Sequence, residues 1–432
     1  MWHILMKGNE FMKTFRNADI LLPKNADMEK WSVVACDQYT SEPDYWKETS
    51  EITSGSISTL DYILPEIYLE DNDVEKRIEK IHSAMDKGIK DNVFEEYKNS
   101  MIYLERVQDD GEIRAGIVGC IDLEDYDYSK GSDSLVRATE ATVVERIPPR
   151  IAVRRGAKLE LPHIMILIDD EERTVVEPVE KIKDKLQKVY DFTLMQRGGS
   201  LRGWVIDEEN QKGIIDALAG LEDPENFNKK YGLNGCAPLV YAMGDGNHSL
   251  ATAKAFYEEL KKSSPDKDMS NHPARYALVE IVNLHSSALK FEAIHRIVTD
   301  VNTEDLLEKM TQVLGITENT DNCEQKMEYV IKGKRTSVGI TKVYSKLTVG
   351  SLQQFLDDYI AENGCKIDYI HGTDVIEKLS MSDNSIGFIL PDMEKSELFP
   401  TVISDGALPR KTFSMGHAWD KRYYTECRKI TD

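Results

Sequence analysis

The stretch Tyr241-Ala242-Met243-Gly244-Asp245-Gly246-Asn247-His248-Ser249-Leu250-Ala251-Thr252-Ala253-Lys254 decides how the rest of the sequence is read. Leu239 to Met243 is an apolar run of strand length, and Leu250 to Leu260 carries apolar residues at helical spacing. A turn with two glycines joins them. A strand that passes through such a turn straight into a helix offers first-turn N–H groups and the positive end of the helix dipole, a setting suited to phosphate. Glycine lets the backbone approach a ligand closely. Asp245 is a candidate to hold Mg²⁺ or accept a proton. His248 is a candidate to donate to a phosphate or act as an acid. The structural alternative is that Asn247 or Ser249 merely caps a helix after a tight turn. The pattern is neither a P-loop nor a dinucleotide fingerprint.

Working outward, Val74 to Lys90 has an amphipathic helical period. Met101 to Leu104 and Ile113 to Ile121 read as strands joined through Asp110-Gly111, a hairpin signal. His163 to Ile168 suits a buried strand, Val179 to Tyr190 and Glu208 to Leu218 suit helices, and Glu222 to Gly235 reads as loop. Tyr276 to Leu284 and Phe291 to Val298 read as strands. Asp266 to Pro273 reads as an exposed loop. In the tail, helices are expected at Leu352 to Ile360 and Val375 to Leu379, and strands at Ile367 to Ile370 and Ile386 to Leu390. This mixture predicts an α/β chain of the mixed α+β kind. The working division is a possible unstructured extension at 1–11, an N-terminal α/β region at 12–235 and a C-terminal α/β region at 236–432.

Composition narrows the function. The formal net charge of −22 over 432 residues disfavours nucleic acid and acidic membranes as partners. It leaves room for small anions, because a local cationic cluster can be positive inside an acidic protein. The six cysteines are scattered, with no C-x-x-C pair, which fits free thiols in a reducing compartment. The opening apolar run is too short for a signal peptide and no window is long enough to span a bilayer, so a cytoplasmic protein is expected.

Four further segments carry candidate chemistry. Arg137-Ala138-Thr139-Glu140-Ala141-Thr142, followed by Arg146, Arg150, Arg154 and Arg155, concentrates arginines in an acidic chain. Guanidinium forks suit carboxylate and phosphate, and Glu140 is a candidate general base. A solvated face of Arg–Glu pairs is the alternative. His295 and Arg296 sit in a strand and point to opposite faces, so one can reach a pocket. Pro409-Arg410-Lys411-Thr412 offers two cations and a hydroxyl. Asp37-Gln38-Tyr39-Thr40 is a weaker candidate. No Cys/His spacing suggests a structural metal.

Taken together, these segments resemble the family catalogued as domain of unknown function 1015. The resemblance rests on Ala35 to Tyr39, Thr139-Glu140-Ala141-Thr142, Asp245-Gly246-Asn247-His248-Ser249, Ile294-His295-Arg296 and Pro409-Arg410-Lys411-Thr412, in that order along nearly the whole chain. Asn247, Ser249 and Thr139 depart from the family pattern. The Asp-Gly-x-His turn is also similar to the nucleotide turn of the ParB/sulfiredoxin superfamily, which includes free-serine kinases. That similarity implies a ParB/sulfiredoxin-like core around the strand-turn-helix at 239–260, with additional α/β elements. It further implies a phosphotransferase that uses Mg²⁺ with ATP or ADP on a small hydroxyl compound such as free serine. In that reading Glu140 is the base, and Asp245 places Mg²⁺. Gly246, Asn247, His248 and Ser249 cradle phosphates. Arg137, Thr142, Arg146, His295, Arg296, Arg410, Lys411 and Thr412 bind substrate or nucleotide. The expected partners are a small-molecule substrate and a nucleotide, with a homodimer left open. The alternatives are a non-catalytic nucleotide- or phosphometabolite-binding regulator and, third, a sulfiredoxin-like reductase. Cys236, roughly 30 Å from Asp245 if the strand is extended, is badly placed for that reductase.

Overall fold

The computed structural model describes residues 13–142 and 144–431. The extension expected at 1–11 lies outside the described residues.

The chain is mixed α+β and is built on a ten-stranded sheet. Its strands lie in the order Gln187–Thr193, Ser200–Val205, Ile102–Val107, Ile113–Asp122, Tyr276–Asn283, Met165–Ile168, Tyr241–Asp245, Val136–Arg137 and Tyr126–Asp127, with Phe15–Arg16 added onto Ile113–Asp122. Most neighbours are antiparallel. Tyr276–Asn283 runs parallel to Met165–Ile168, and Val136–Arg137 runs parallel to both its neighbours, Tyr241–Asp245 and Tyr126–Asp127. Strands from both sides of residue 235 therefore alternate at the centre of one sheet. The central strands are apolar on both faces, with Ile166, Leu167, Val279 and Ile281 fully buried, as expected for strands covered on both sides.

A second sheet of six strands is antiparallel throughout. It runs Ile316–Thr317, Lys334–Ile340, Gln325–Ile331, Ser385–Ile389, His295–Thr299, Lys366–Ile370. The helices Thr303–Leu314 and Thr348–Asn363 bury Leu306, Met310, Leu352 and Leu356 in the same core as Val298, Val338 and Phe388.

The helix that matters most is Asn247–Ser263. Leu250, Ala253, Phe256 and Tyr257 recur at three- and four-residue spacing and are buried against the large sheet. Each of the larger side chains contributes roughly 1.5–3 kcal/mol by burial. The helix packs on a shorter one, Ile147–Arg154.

The tail returns to the start of the chain. Leu21 and Cys427 exchange backbone hydrogen bonds, Tyr424 N–H donates to Val33 O at 2.8 Å, and the Trp31 indole N–H donates to Thr425 O at 2.8 Å. Arg422, buried, bonds Glu280 and Glu426, so the tail is pinned to the centre of the large sheet by charge-assisted bonds.

Three local expectations are corrected. Val179 to Tyr190 is not one helix. It is a short helix Glu177–Glu180, a single 3₁₀ turn, and the edge strand Gln187–Thr193. An extra residue at Val189 bulges that strand, so its apolar spacing imitates a helical period. Tertiary pairing decides the outcome: the Tyr190 ring occupies the space over Gly203, where a Cβ would stand 2.1 Å from it. Residues 222–235 contain a helix, Pro224–Tyr231. Asp223 caps it by accepting from Glu225 and Asn226 N–H at 3.0 and 2.9 Å, and Gly232 ends it in the left-handed region. Phe291 to Val298 is two strands, Phe291–Ala293 and His295–Thr299, in different sheets. Among the described residues, no helix is long and apolar enough to cross a membrane.

Candidate active site

The turn that opens the Asn247–Ser263 helix forces glycine at two positions. Gly246 has φ +74°, and a Cβ there would stand 3.0 Å from Ile164 Cα and 3.3 Å from the His163 ring. At Gly244 the strand register shifts, and a Cβ would stand 2.9 Å from Leu167 Cγ. Gly246 is the N-cap and has no side chain, so no cap oxygen competes for the first-turn N–H groups. Asp245 Oδ1 accepts the Gly246 N–H at 2.8 Å, and its Oδ2 faces the Lys421 ammonium at 3.3 Å.

Two other segments close on this turn. Thr139 Oγ1 donates to Met243 O at 2.7 Å, and Asn247 Nδ2 donates to Glu140 O at 3.2 Å and Thr142 Oγ1 at 3.3 Å. Asn247 thus ties the turn to the 139–142 segment. Its Oδ1 is buried without a donor among the described residues. From the tail, Leu408 N–H donates to Thr139 O at 2.6 Å, and Leu408 bridges Glu140 in parallel. Lys411 has φ +54°. The N–H groups of Lys411 and Thr412 meet the Glu140 carboxyl. Burial pushes that carboxyl above its ordinary range, opposed by Lys411, the two N–H bonds and Arg296. A carboxylate raised in this way is a stronger base than an exposed one.

Positive charge gathers around the turn. The half-buried His248 ring is pushed down to about 4 by burial, then by Arg150 and Arg146. It is neutral at pH 7. It keeps one N–H and one lone pair, so the acid role expected of it requires a bound anion to restore its charge. Arg150 is engaged by Glu66. Arg146 and Lys411 are exposed, and among the described residues neither has an ion-pair partner. Facing them, His371 is pushed down by burial and by Lys411, Lys421 and His417, which together outweigh Glu292.

On the remaining side, Asp37 Oδ2 lies 3.8 Å from His163 Nε2. Burial raises Asp37, but His163, a hydrogen bond from Gln38 and Lys421 hold its carboxyl below the usual range. His163 Nδ1 is 2.8 Å from the Tyr424 hydroxyl, which also accepts from Cys36 N–H at 3.1 Å. Burial pushes the Cys36 thiol far up, so it is no nucleophile. Lys421 is itself aimed from beneath: Arg106 donates to Trp419 O at 2.8 Å and Lys421 O at 3.4 Å, and Arg114 donates to Asp420 O at 3.1 Å.

The sequence profile of the family described as "Protein of unknown function (DUF1015)" matches residues 18–359. The chain belongs to this family. No curated protein matches its sequence. Among solved structures it is similar to SbnI with a C-terminal truncation from Staphylococcus aureus, at 10% identity and TM-score 0.35 over 69% of this chain and 82% of that one. It is similar to a free serine kinase in complex with AMP, at 11% identity and TM-score 0.37 over 72% of this chain and 92% of that one. A conserved hypothetical protein from Pyrococcus furiosus gives 10% identity and TM-score 0.35 over 73% of this chain and 95% of that one. At that distance the likenesses say nothing about chemistry.

In this DUF1015 chain the fold brings together Glu140, Thr142, Asp245 to Ser249, Arg146 and Lys411, with Thr412 contributing its backbone N–H. Thr412 Oγ1 is spent on Pro409 O at 2.6 Å. Four expected ligands are directed elsewhere. The Arg137 guanidinium bonds the carbonyls of Ser134, Ala237 and Pro238, at the opposite end of its strand from the turn. Arg296 is fully buried and is consumed by Ile294 O, Gln353 and Arg410 O at 2.9 Å, with burial lowering it to about 10. It braces the 409–412 loop from inside. His295 is buried, and its Nδ1 accepts Leu390 N–H at 3.3 Å. Arg410 turns out to Asp357. Sequence reading missed His163, Lys421 and Tyr424. For His163 one signal existed: a histidine at the mouth of an apolar strand, just after Pro162. For Lys421 and Tyr424 there was none, because the tail's path back to the turn is set by tertiary pairing.

Proposed function

We propose that this protein is a nucleotide-dependent phosphotransferase acting on a small hydroxyl metabolite, with free serine as the first acceptor to test. One observation carries the reading: a raised, backbone-anchored carboxyl at Glu140 lies beside an uncapped helix start, with Lys411, Lys421 and Arg146 close to that turn. In an acidic chain, that concentration of cations suits a polyphosphate. The first turn of the helix takes the phosphates. Glu140 accepts the proton of the acceptor hydroxyl as its oxygen forms the new O–P bond and the bond to the departing nucleotide oxygen breaks. Lys411 and Arg146 neutralise charge on the transferred group. Asp245 is the residue that would hold Mg²⁺, which supplies charge neutralisation at the phosphates. Among the described residues no cluster of three His, Cys, Asp or Glu side chains is set up for a metal, so the other ligands would be phosphate oxygens and water.

A second reading is a non-catalytic nucleotide- or phosphometabolite-binding regulator. It is favoured by Asp245 already being engaged by Gly246 N–H and Lys421. The two separate cleanly. Thermal-shift titration with ATP and ADP, with Mg²⁺, reports binding, and ³¹P NMR with L-serine reports transfer. A shift abolished in Asp245→Ala, with a phosphoserine signal, supports the kinase. A shift without product from any small hydroxyl acceptor supports the regulator. No shift at all rules out the kinase and a nucleotide-binding regulator, and leaves phosphorylated metabolites as the next probes.

A further inference from the structure

The far ends of the large sheet's central strands, its second strand-end edge, carry a polar cluster that the proposed reaction does not use. Tyr241–Asp245 is antiparallel to Met165–Ile168, with Asp245 opposite Met165, so the candidate active site lies where the latter strand begins. Where it ends, Tyr276–Asn283 ends beside it, with Asn283 in register with Ile168. The chain then supplies Asp169 and Asp170 from one strand and His285 from the other. The ends of parallel strands are a recurrent place for crevices that take ligands.

Asp169 is bound from three sides. His285 Nε2 lies 2.7 Å from its Oδ1, and the Tyr231 hydroxyl and Lys230 ammonium meet its Oδ2, the latter at 2.9 Å. Burial alone would raise this carboxyl, but the bonds from Tyr231, His285 and Lys230 outweigh it and hold it low. The imidazole is thereby fixed in orientation. His285 forms one wall of an open cleft of about 420 Å³, with Lys290, Lys395, Asp392 and Glu394 among the other lining residues. That volume suits a small metabolite.

The cleft's acids hold local backbone and Lys290 is paired with Asp110, which leaves Lys395 as the lining cation to follow. Asp392 accepts Ala293 N–H at 2.8 Å, and Glu394 is locked in a capping box with Glu397. Lys395 donates to Ser286 O at 2.6 Å, and among the described residues no carboxylate pairs with it. Arg173 donates to the adjacent carbonyl, His285 O, at 3.1 Å, and its closest carboxylate, Glu177, is at 3.5 Å. Two cations thus converge on consecutive carbonyls, next to a tethered histidine. Burial, and then Arg173, push the Lys395 ammonium down.

We propose that this cleft binds a compact dianion, a phosphate or a dicarboxylate, held by Lys395, with Arg173 beside it and the tethered His285 forming one wall. It is a second ligand site, independent of the phosphotransferase reading, and placed to report to the other edge through the shared strand.

The test is isothermal titration of the full chain with inorganic phosphate and, separately, with succinate, at low ionic strength. Binding of either is expected, and the preferred probe identifies the class. Lys395→Gln is expected to weaken it about tenfold or more, and Lys395→Arg to restore most of it. Asp245→Ala and Lys411→Gln are expected to leave it within about twofold. Circular dichroism and urea midpoints establish that each variant folds, and Arg173→Gln, at an exposed position, serves if Lys395→Gln does not. Binding that survives both Lys395→Gln and Arg173→Gln but disappears in Lys411→Gln places the anion at the other edge and overturns the proposal. Failure of both probes to bind the wild-type chain overturns it as well.

Discussion

Asp245 and Asp169 stand at opposite ends of the central strands, the two strand-end edges of the ten-stranded sheet, and their surroundings are built on different principles. Asp245 closes a strand at a glycine turn. It has one ion pair, with Lys421, and its neighbourhood is cationic, with Arg146 and Lys411 unpaired among the described residues. Asp169 follows a strand end and is saturated by His285, Tyr231 and Lys230. Like charges gathered without partners are costly unless something binds to them, whereas a saturated carboxylate works for the fold. Removing a group at the first edge should therefore cost chemistry, and at the second, stability.

The largest effect is expected from Glu140→Gln. If Glu140 takes the acceptor proton, the isosteric amide should lower the phosphoryl-transfer rate by about 10²- to 10⁴-fold, with nucleotide affinity changed little. Rates by ³¹P NMR, paired with thermal-shift affinities, check this. A rate within twofold of wild type removes Glu140 as the base. Asp169→Ala should show the converse. Losing the common acceptor of three donors is expected to cost about 3 kcal/mol in urea unfolding, with transfer by the folded fraction unchanged. Equal loss in both readouts would erase the distinction between the edges.

Gly246→Ala comes next. Its φ of +74° and the 3.0 Å approach of a Cβ to Ile164 Cα predict a cost of about 1–3 kcal/mol and a weakened nucleotide shift. Gly220→Ala is the control, since nothing lies within 4 Å of a Cβ there. It sits in the Glu208–Glu222 helix, where alanine is expected to be neutral or stabilising.

How legible the molecule was follows the same division. The strand-turn-helix at 241–263 was readable because glycine and apolar period report on local backbone. So was the helix Val74–Lys90, recovered with its expected bounds. The helix after Asp223 carried its own signals, Asp-Pro at one end and Gly232 at the other, and was overlooked in a polar stretch. What no local pattern contained was the pairing of Leu408 with Thr139 and Glu140, or the return of Lys421 to Asp245, which are contacts between distant parts of the chain. Arginine was the least legible residue. Arg137 and Arg296 have the composition of anion ligands, but their guanidinium groups are taken up by main-chain carbonyls and Gln353, a use that the sequence does not distinguish from binding phosphate.

The smallest effect is also the most local probe of which edge an anion chooses. His248 is held near 4 by burial and by Arg150 and Arg146, against an ordinary value of 6.5. The folded chain therefore binds fewer protons here than the unfolded chain between those values. The contribution to stability is complete above about 6.5 and is lost progressively as pH falls toward about 4. A phosphate seated at the helix start opposes both causes, because it neutralises the arginines and gives the imidazolium a partner. NMR titration of the His248 ring should find its midpoint raised by about one unit with ADP present, and the acid-side loss of stability should shrink accordingly. The ring signals of His285, at the other end of the strands, should not move with ADP, and should move with inorganic phosphate or succinate if the cleft it lines binds a dianion. A His248 midpoint that stays near 4 while ADP still raises the melting temperature would mean that the nucleotide sits away from the turn, and the edge read here as chemical would lose its claim to the phosphates.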